Sequence, residues 1–525
     1  MPRLAAASPA DARRPSPLSA LLLSLAALAA GCGESEHPLR AVERGEAEVT
    51  GQGVLVVVVD GLRWDHTSLA GYDRETTPFL ARFSEQCAVF ANAWTPVASL
   101  LGAHVGLLSG ADPALAVPPP AAGGEAASRR PLVVPRALGL VARPFLARAW
   151  RTAAFLDHPA IEELSGFDVG FCDFVAYRGR TRVGELADDD TGVTGVGLRF
   201  LRWLNERDLD EDWFAYVHLH DLERQWSEGV EPALAGLVSR ATAGWEERPE
   251  LDFVPPIGLT EPALDALPAS RTGDGRPRSL SSYELRYDRA LRALDVALER
   301  LVMHVDEYGR GREVTIVVVG SYGIELGEHG LYLAPGLAAE EDLHVPLLVR
   351  PAGRVAERLG FEGGRRVGTL VSTLDVAPTL VELAGLRPLP IAHGYSLVPF
   401  LTGDGSAPPV RRRVFARAAF GDGAAVVGTD DAWFDPRGSR ARAASDRGSE
   451  DLSSPWDGAL LPTLWGRWES LLLTERRRLH FGVGEADTTA AELLDALQRD
   501  PISALVEHSG TQERDAGGGA RASSD

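Results

Sequence analysis

The sequence predicts an α/β fold, a three-layer sandwich with a mostly parallel central sheet between helices, and a small α+β region near the C-terminus. Two apolar runs carry the first part. Residues 54–59 (VLVVVV) and 314–319 (VTIVVV) show no polar alternation, as strands buried on both faces require, and each is too short to cross a membrane. Residues 283–308 supply the helical counterpart, with Tyr287, Leu291, Leu294, Leu298 and Leu301 on one stripe. Strands alternating with helices along a chain imply parallel pairing through crossovers. The 525 residues, 45% hydrophobic and 24% charged, are enough for one large core with smaller attached units.

In chain order, Arg3, Arg13 and Arg14 precede an apolar segment over 18–30 that ends in small residues before Cys32, the pattern of an export signal. LAALAAGC is similar to a bacterial lipobox, with Ala29 where that pattern usually has leucine. The similarity implies a lipoprotein-type signal over 1–32, lipid on Cys32 and a polar tether over 33–49. An exported periplasmic or cell-surface lipoprotein, held to a membrane, is the expectation.

The strand over 54–59 stops at Asp60-Gly61. Ligands bind at the carboxyl ends of strands in open α/β sheets, so Asp60 is either a metal ligand or the cap of the following turn. A net charge of -21 excludes nucleic acid as a partner, because phosphates need a basic surface. All 53 basic residues are arginine, so chemistry that needs a lysine is excluded as well. Cys87 and Cys172 lie in segments that read as packed, and two buried thiols are expected rather than a bridge.

Residues 111–135, rich in Ala, Pro and Gly, read as a surface loop. A helix is expected over 142–150, a strand over 151–158, an irregular segment over 166–174, a helix over 197–207 and an alternating strand over 213–218. Residues 227–282 lack a sustained period and read as an insertion with short helices. The main domain is expected over 50–403 and a C-terminal subdomain over 404–508, with strands in VRRRVFARAAF, GAAVVGTDDAWF and SLLLTERRRLHF and a closing helix over 489–500. A disordered tail is expected over 509–525.

DGLRWDH, GYDRETTPFLARFSEQCAVFANAW and HVGLLSG, in this order and spacing, resemble the opening of the sulfatase family within the alkaline-phosphatase-like superfamily. RTAAF, GFDVGFCDF, YDRALRALDVALERL, GSYGIELGEHGLY, VPLLVRP and STLDVAPTLVELAGL extend the resemblance over 53–401. It implies an alkaline-phosphatase-like fold and an ester-hydrolysing site. In that site a cation activates a hydrated formylglycine, serine or threonine, the nucleophile of a CxPSRxxLxTG motif or its variants.

The chemical positions depart from that pattern. Aligned on Leu107, Leu108, Ser109 and Gly110, the nucleophile position is Leu100, which has no oxygen to attack with. Gly102, Ala103 and His104 stand at the Pro, Ser and Arg positions, and Ser99 is one residue away. Counting back from Glu328-His329-Gly330, Ser321 and Tyr322 replace the family's cation-binding Asp and its His or Asn, leaving Asp60 short of oxygen ligands. The GEHG segment itself, with Glu325 and His329, mainly shapes a loop in the family. In HLHDLER, Asp221 matches the "VHxxDPH" pattern, Leu222 and Glu223 replace its Pro and second His, and His220 either substitutes or faces solvent. The family's later lysine falls near Ala334.

A catalytically inactive, sulfatase-like binding or interaction protein is therefore expected. It would need no cofactor and would pair with a sulfated or phosphorylated glycan or with an active sulfatase relative. The alternative is a sulfuric- or phosphoric-ester hydrolase rebuilt from Asp60, Ser99, His104, His220 and Asp221 around calcium or zinc. Replacing Leu100 by Cys or Ser is expected to give no activity by itself, because Ser321 and Tyr322 still fail to hold a cation. Appreciable turnover of an aryl sulfate or phosphate by either variant would overturn the metal argument.

Overall fold

A computed structural model describes residues 51–113, 134–135, 138–158, 161, 166–175, 195–223, 232–248, 280–307, 313–329, 332–402, 407, 411, 413–417, 424–428 and 432–435. The expected signal, Cys32, the tether, the third C-terminal strand, the helix over 489–500 and the tail lie outside these residues. The first apolar run forms β1 (Gly53–Asp60), followed by β2 (Ala88–Trp94), β3 (Arg151–Phe155), β4 (Asp173–Val175), β5 (Trp213–Leu219) and β6 (Val314–Tyr322). Two short strands, β7 (Glu325–Leu326) and β8 (Tyr332–Ala334), lead to β9 (His344–Arg350), β10 (Arg365–Val367) and β11 (Val371–Ser372). The main sheet runs β10-β2-β9-β6-β1-β5-β3-β4, with β11 beside β2.

β1 pairs in parallel with β5 and β6 on its two sides, and every residue of it is buried. Each buried valine contributes about 1.5–3 kcal/mol by removal from water. Val54, Val56 and Val58 face a core that includes Leu107, Phe145 and Leu380, while Leu55, Val57 and Val59 are buried on the other face. β9 is the reversed strand, antiparallel to β2 and β6, whereas the other pairs of this sheet are parallel. A short connection through β7 and β8 suffices there, because antiparallel neighbours need no crossover helix.

The helices used below are α1 (Pro78–Phe83), α2 (Leu100–Ser109), α3 (Ala142–Leu146), α4 (Gly195–Asn205), α5 (Pro232–Ala241), α6 (Leu280–Val305) and α7 (Glu340–Leu343). The five stripe residues of α6 are all buried, and Tyr287 reaches the end of β1, donating to Gly61 O at 2.7 Å and accepting from Arg63 N at 3.0 Å. α5 lies within the expected insertion and packs on α6 through Val238, Ala293 and Ala297. β12 (Arg413–Arg417), β13 (Ala424–Gly428) and β14 (Ala432–Asp435) form an antiparallel sheet from the first two C-terminal segments.

Four expectations change. The helix over 142–150 stops at Leu146, and the chain then turns through Ala149 at φ 62°. The end of the segment read as irregular is β4, paired with β3. All of β5 is buried, with α3 and α4 packed against it, so its alternation does not mark a solvent face. Cys172 is exposed rather than buried, since it leads into the last strand of the sheet, while Cys87 is buried as expected.

Asp295 on α6 ties that helix to α1, its carboxylate accepting from Phe79 N at 2.8 Å and Leu80 N at 3.0 Å. Burial outweighs these bonds and pushes its pKa up to about 7. The folded state therefore holds this proton more tightly than the unfolded chain does. Its contribution to stability is complete at low pH and is lost as pH rises from about 4 to about 7, by at most about 1.4 kcal/mol per unit. Asp295→Asn cannot titrate, so chemical unfolding of the two proteins across that window should show the slope difference. Parallel curves would contradict it.

Candidate functional site

Asp60 ends β1 with its side chain fully buried, and four donors converge on its carboxylate. Oδ1 accepts from Ser321 Oγ at 2.5 Å and His104 Nε2 at 3.2 Å; Oδ2 accepts from His218 Nε2 at 2.6 Å and His220 Nδ1 at 2.9 Å. Each donor is placed by the fold. The register of β1 against β6 shifts between Val59 and Asp60, so Ser321 drops out of the pairing and turns its hydroxyl inward. His104 projects from α2 and its Nδ1 meets Tyr216 Oη of β5 at 2.6 Å. His218 and His220, two apart at the end of β5, project to one side of the extended chain and both reach Asp60 Oδ2.

A further ring of contacts closes the cluster. Tyr322 Oη donates to Glu223 Oε1 at 2.9 Å, and Glu223 Oε2 lies 3.6 Å from His220 Nε2. His218 Nδ1 accepts the backbone N–H of Asp157 at 3.4 Å, and the His158 ring packs edge-on to that of His220.

Burial alone would push Asp60 up, but the His218 and His104 imidazoles hold it well below the usual carboxylate range. Burial, aided by His218, lowers His104 to about 4, and burial with His220 lowers His158 to about 4. His220 goes the other way: its burial is outweighed by the bond to Asp60 and by the charges of Glu223 and Asp60, which raise it to about 9. Burial and the nearby Asp60 also push Glu223 up, against the pull of His220. At neutral pH the cluster is thus an Asp60 carboxylate facing a His220 imidazolium, with a neutral His104.

The residues picked out from sequence divide accordingly. Asp60, His104, His220, Ser321 and Tyr322 come together. His220 is no solvent-facing loop residue, for 16% of its side chain is exposed and Asp60 holds the rest. Leu100 begins α2 and is buried in the apolar core. Ser99 occupies the N-cap position of α2, and its side chain caps nothing there. Asp221 is buried just after His220. His218, Glu223 and Tyr216 were not foreseen as partners, although the His-Leu-His spacing beside Asp60 carried the signal.

The donor atoms of Asp60, His218 and His220 lie within 4.8 Å of one another, which invites a test for a cation. Calcium does not fit, because Ser321 and Tyr322 stand where further charged ligands would be and Glu223, the other carboxylate at hand, is engaged by Tyr322 and His220. Zinc with bonds of about 2.0–2.1 Å in tetrahedral geometry keeps its donors about 3.4 Å apart. Here the spacings to Asp60 Oδ2 are 2.6 and 2.9 Å, those of hydrogen bonds. His218 also receives an N–H on Nδ1, so its proton sits on Nε2, the nitrogen a metal would need. As it stands, the cluster is closed by protons and does not fit a metal.

Residues 162–386 match the family model described as Sulfatase. The chain carries a sulfatase-family domain. The match includes His218, His220, Glu223, Ser321 and Tyr322 and begins beyond Asp60 and Leu100. An extracellular sulfatase homologue of Drosophila melanogaster is 30% identical over 113 residues, which is 22% of this chain and 10% of that protein. The chain thus matches about a tenth of that relative's length.

Two solved structures share the fold of this sulfatase-family domain. The phosphonate monoester hydrolase of Agrobacterium radiobacter superposes with a TM-score of 0.53 at 17% identity, covering 82% of this chain and 96% of its own. A protein solved with its substrate D-glucosamine-2-N,6-O-disulfate gives 0.56 at 16% identity, covering 82% and 98%. The mixed, mostly parallel sheet with its helices is the alkaline-phosphatase-like fold.

The His220 imidazolium stabilises the fold fully below its unfolded value near 6.5, and that contribution is lost as pH rises through about 9. In an NMR titration His220 should lose its proton near pH 9 and His104 should stay neutral down to about pH 4. A His220 midpoint near 6.5 would show that Asp60 does not hold it.

Proposed function

We propose that this sulfatase-family domain is a noncatalytic binding protein in which three imidazoles and a hydroxyl take the place of the family's cation. The observation that carries this reading is the filling of both Asp60 oxygens by protein donors while Leu100 lies in the apolar core. Neither a bound cation nor an oxygen nucleophile is then at hand, and one general acid or base does not replace both. The His220 imidazolium and the His158 ring, at the edge of the cluster, suit an anionic group. A sulfated or phosphorylated glycan is the ligand class, in line with the sulfated glucosamine bound by the comparison structure. An active sulfatase relative is the other partner class. Export, and lipid on Cys32, would place the protein where such glycans occur.

A second reading rests on the spacing of Asp60, His218 and His220. If the hydrogen bonds to Asp60 opened, these three would hold a dication such as zinc, which supplies an activated water, and Glu223 would take up the proton. Ester hydrolysis would follow, with Asp221, next to His220, as a further group.

The two readings separate in one comparison. The full-length chain and its His220→Gln variant are purified in calcium and zinc without chelator, and their metal content is measured by elemental mass spectrometry. Both are then assayed on aryl sulfates, phosphates and phosphonates and titrated with D-glucosamine-2-N,6-O-disulfate. Equal metal content, no turnover, and binding of the disulfate that weakens in the variant are expected. Turnover that disappears together with a bound metal in His220→Gln would establish the hydrolase.

A further inference from the structure

A second group of carboxylates and imidazole lies where the chain leaves β6, and none of its members bonds to Asp60. Glu325, the first residue of β7, is fully buried. His329 Nδ1 lies 3.1 and 3.0 Å from its two oxygens and 3.7 Å from Glu341 Oε2 on α7. The donor atoms of these three side chains are all within 4.8 Å of one another.

The backbone fixes the two halves of this group together. Gly323 N donates to Asp342 O at 2.8 Å, and a Cβ at Gly323 would lie 1.8 Å from Glu341 O, so the approach admits only glycine. Asp342 adds an independent sign of a missing partner. Its Oδ2 accepts from Gly336 N at 2.9 Å and Leu337 N at 2.6 Å, while its Oδ1 is buried with no hydrogen-bond partner among the described residues.

Charge does not balance here. Arg63 acts on Glu325 and Glu341 but is shared with Asp65 at 2.7 Å and Glu328 at 2.6 Å. That leaves Glu325, Glu341 and Asp342 facing His329. Burial pushes all three carboxyls up; Glu325 drives Glu341 and Asp342 higher, and Glu328 drives Glu325 higher. Buried carboxylates in surplus either take protons or bind a cation.

We propose that Glu325, His329 and Glu341 bind one zinc-like divalent cation, which ties the loop after β6 to the helix before β9. His329 Nδ1 is hydrogen-bonded to Glu325 at 3.0 Å and lies 3.7 Å from Glu341 Oε2, so replacing the bonded proton by zinc asks each spacing to move only a few tenths of an ångström toward about 3.4 Å. An imidazole among the ligands favours zinc over calcium or magnesium. Binding replaces the His329 proton, which is released to solvent with any proton held between the glutamates. His329 and Glu341 are 31% and 23% exposed, which gives the ion a way in.

The inference does not depend on the noncatalytic reading of the Asp60 cluster. Full-length protein stripped with chelator is titrated with zinc chloride by calorimetry in two buffers of different ionisation enthalpy, and its thermal unfolding is followed with and without zinc. One zinc per chain, a buffer-dependent heat from released protons and a rise of roughly several degrees in Tm are expected. His329→Ala and Glu341→Gln should each weaken binding about tenfold or more, and His220→Gln should leave it unchanged. Both altered side chains are partly exposed, and circular dichroism without zinc checks that the variants fold. No saturable binding, or stoichiometric binding undiminished in the doubly substituted chain, would overturn the proposal. Binding lost in His220→Gln but kept in His329→Ala would overturn it together with the noncatalytic reading, whereas turnover without such a loss bears on that reading alone.

Discussion

A carboxylate buried at the end of the central strand must be neutralised, and the geometry around β1 answers that need. Taking one charge out of water costs several kcal/mol even after relaxation, so Asp60 is tolerable only if donors reach it from every side. They come from α2, from β5, from the residue just past β5 and from the shifted register of β6. Because β5 and β6 are the two neighbours of β1, the order of strands in the sheet and the satisfaction of this one side chain are a single requirement.

Other buried acids in the protein are met by different means. Asp295 is capped by backbone N–H groups at the start of α1. Asp375 accepts from Ser372 N and Tyr395 N and pairs with Arg411. His66, Tyr72 and Arg74 converge on Asp288 of α6 and bind the loop after β1 to that helix. The group around Glu325 is the exception in this series, with more carboxylate than cation. A chain without lysine has only guanidinium and imidazole for such work, and in the interior it uses both.

The main elements of the fold could be read because valine runs and the α6 stripe carry their burial in their periodicity. The direction of β9 could not, since VPLLVRP is equally apolar whichever way it runs. Asp60 was legible as a strand-end acid, and Ser321 and Tyr322 as replacements of ligands. What Ser321 does was hidden, because its hydroxyl turns inward through a register shift that no local pattern records. His218 was overlooked and His220 underrated for one reason: their role depends on which strand lies beside β5, a fact of pairing rather than of sequence. Cys172 was misplaced in the same way, because the position of β4 at the end of the sheet decides its exposure.

The interlocking of Asp60 with its donors also constrains how such a protein can evolve. Losing the carboxylate leaves three imidazoles facing one another, and losing a histidine leaves a buried acid short of a donor, so each single step away meets a penalty. A cation held at Asp60 in the pattern of the resemblance would need an acid at position 321 and the release of His218 at once. The cluster works as a ratchet: with the imidazoles closed on Asp60, change at the rim costs less than change at the centre.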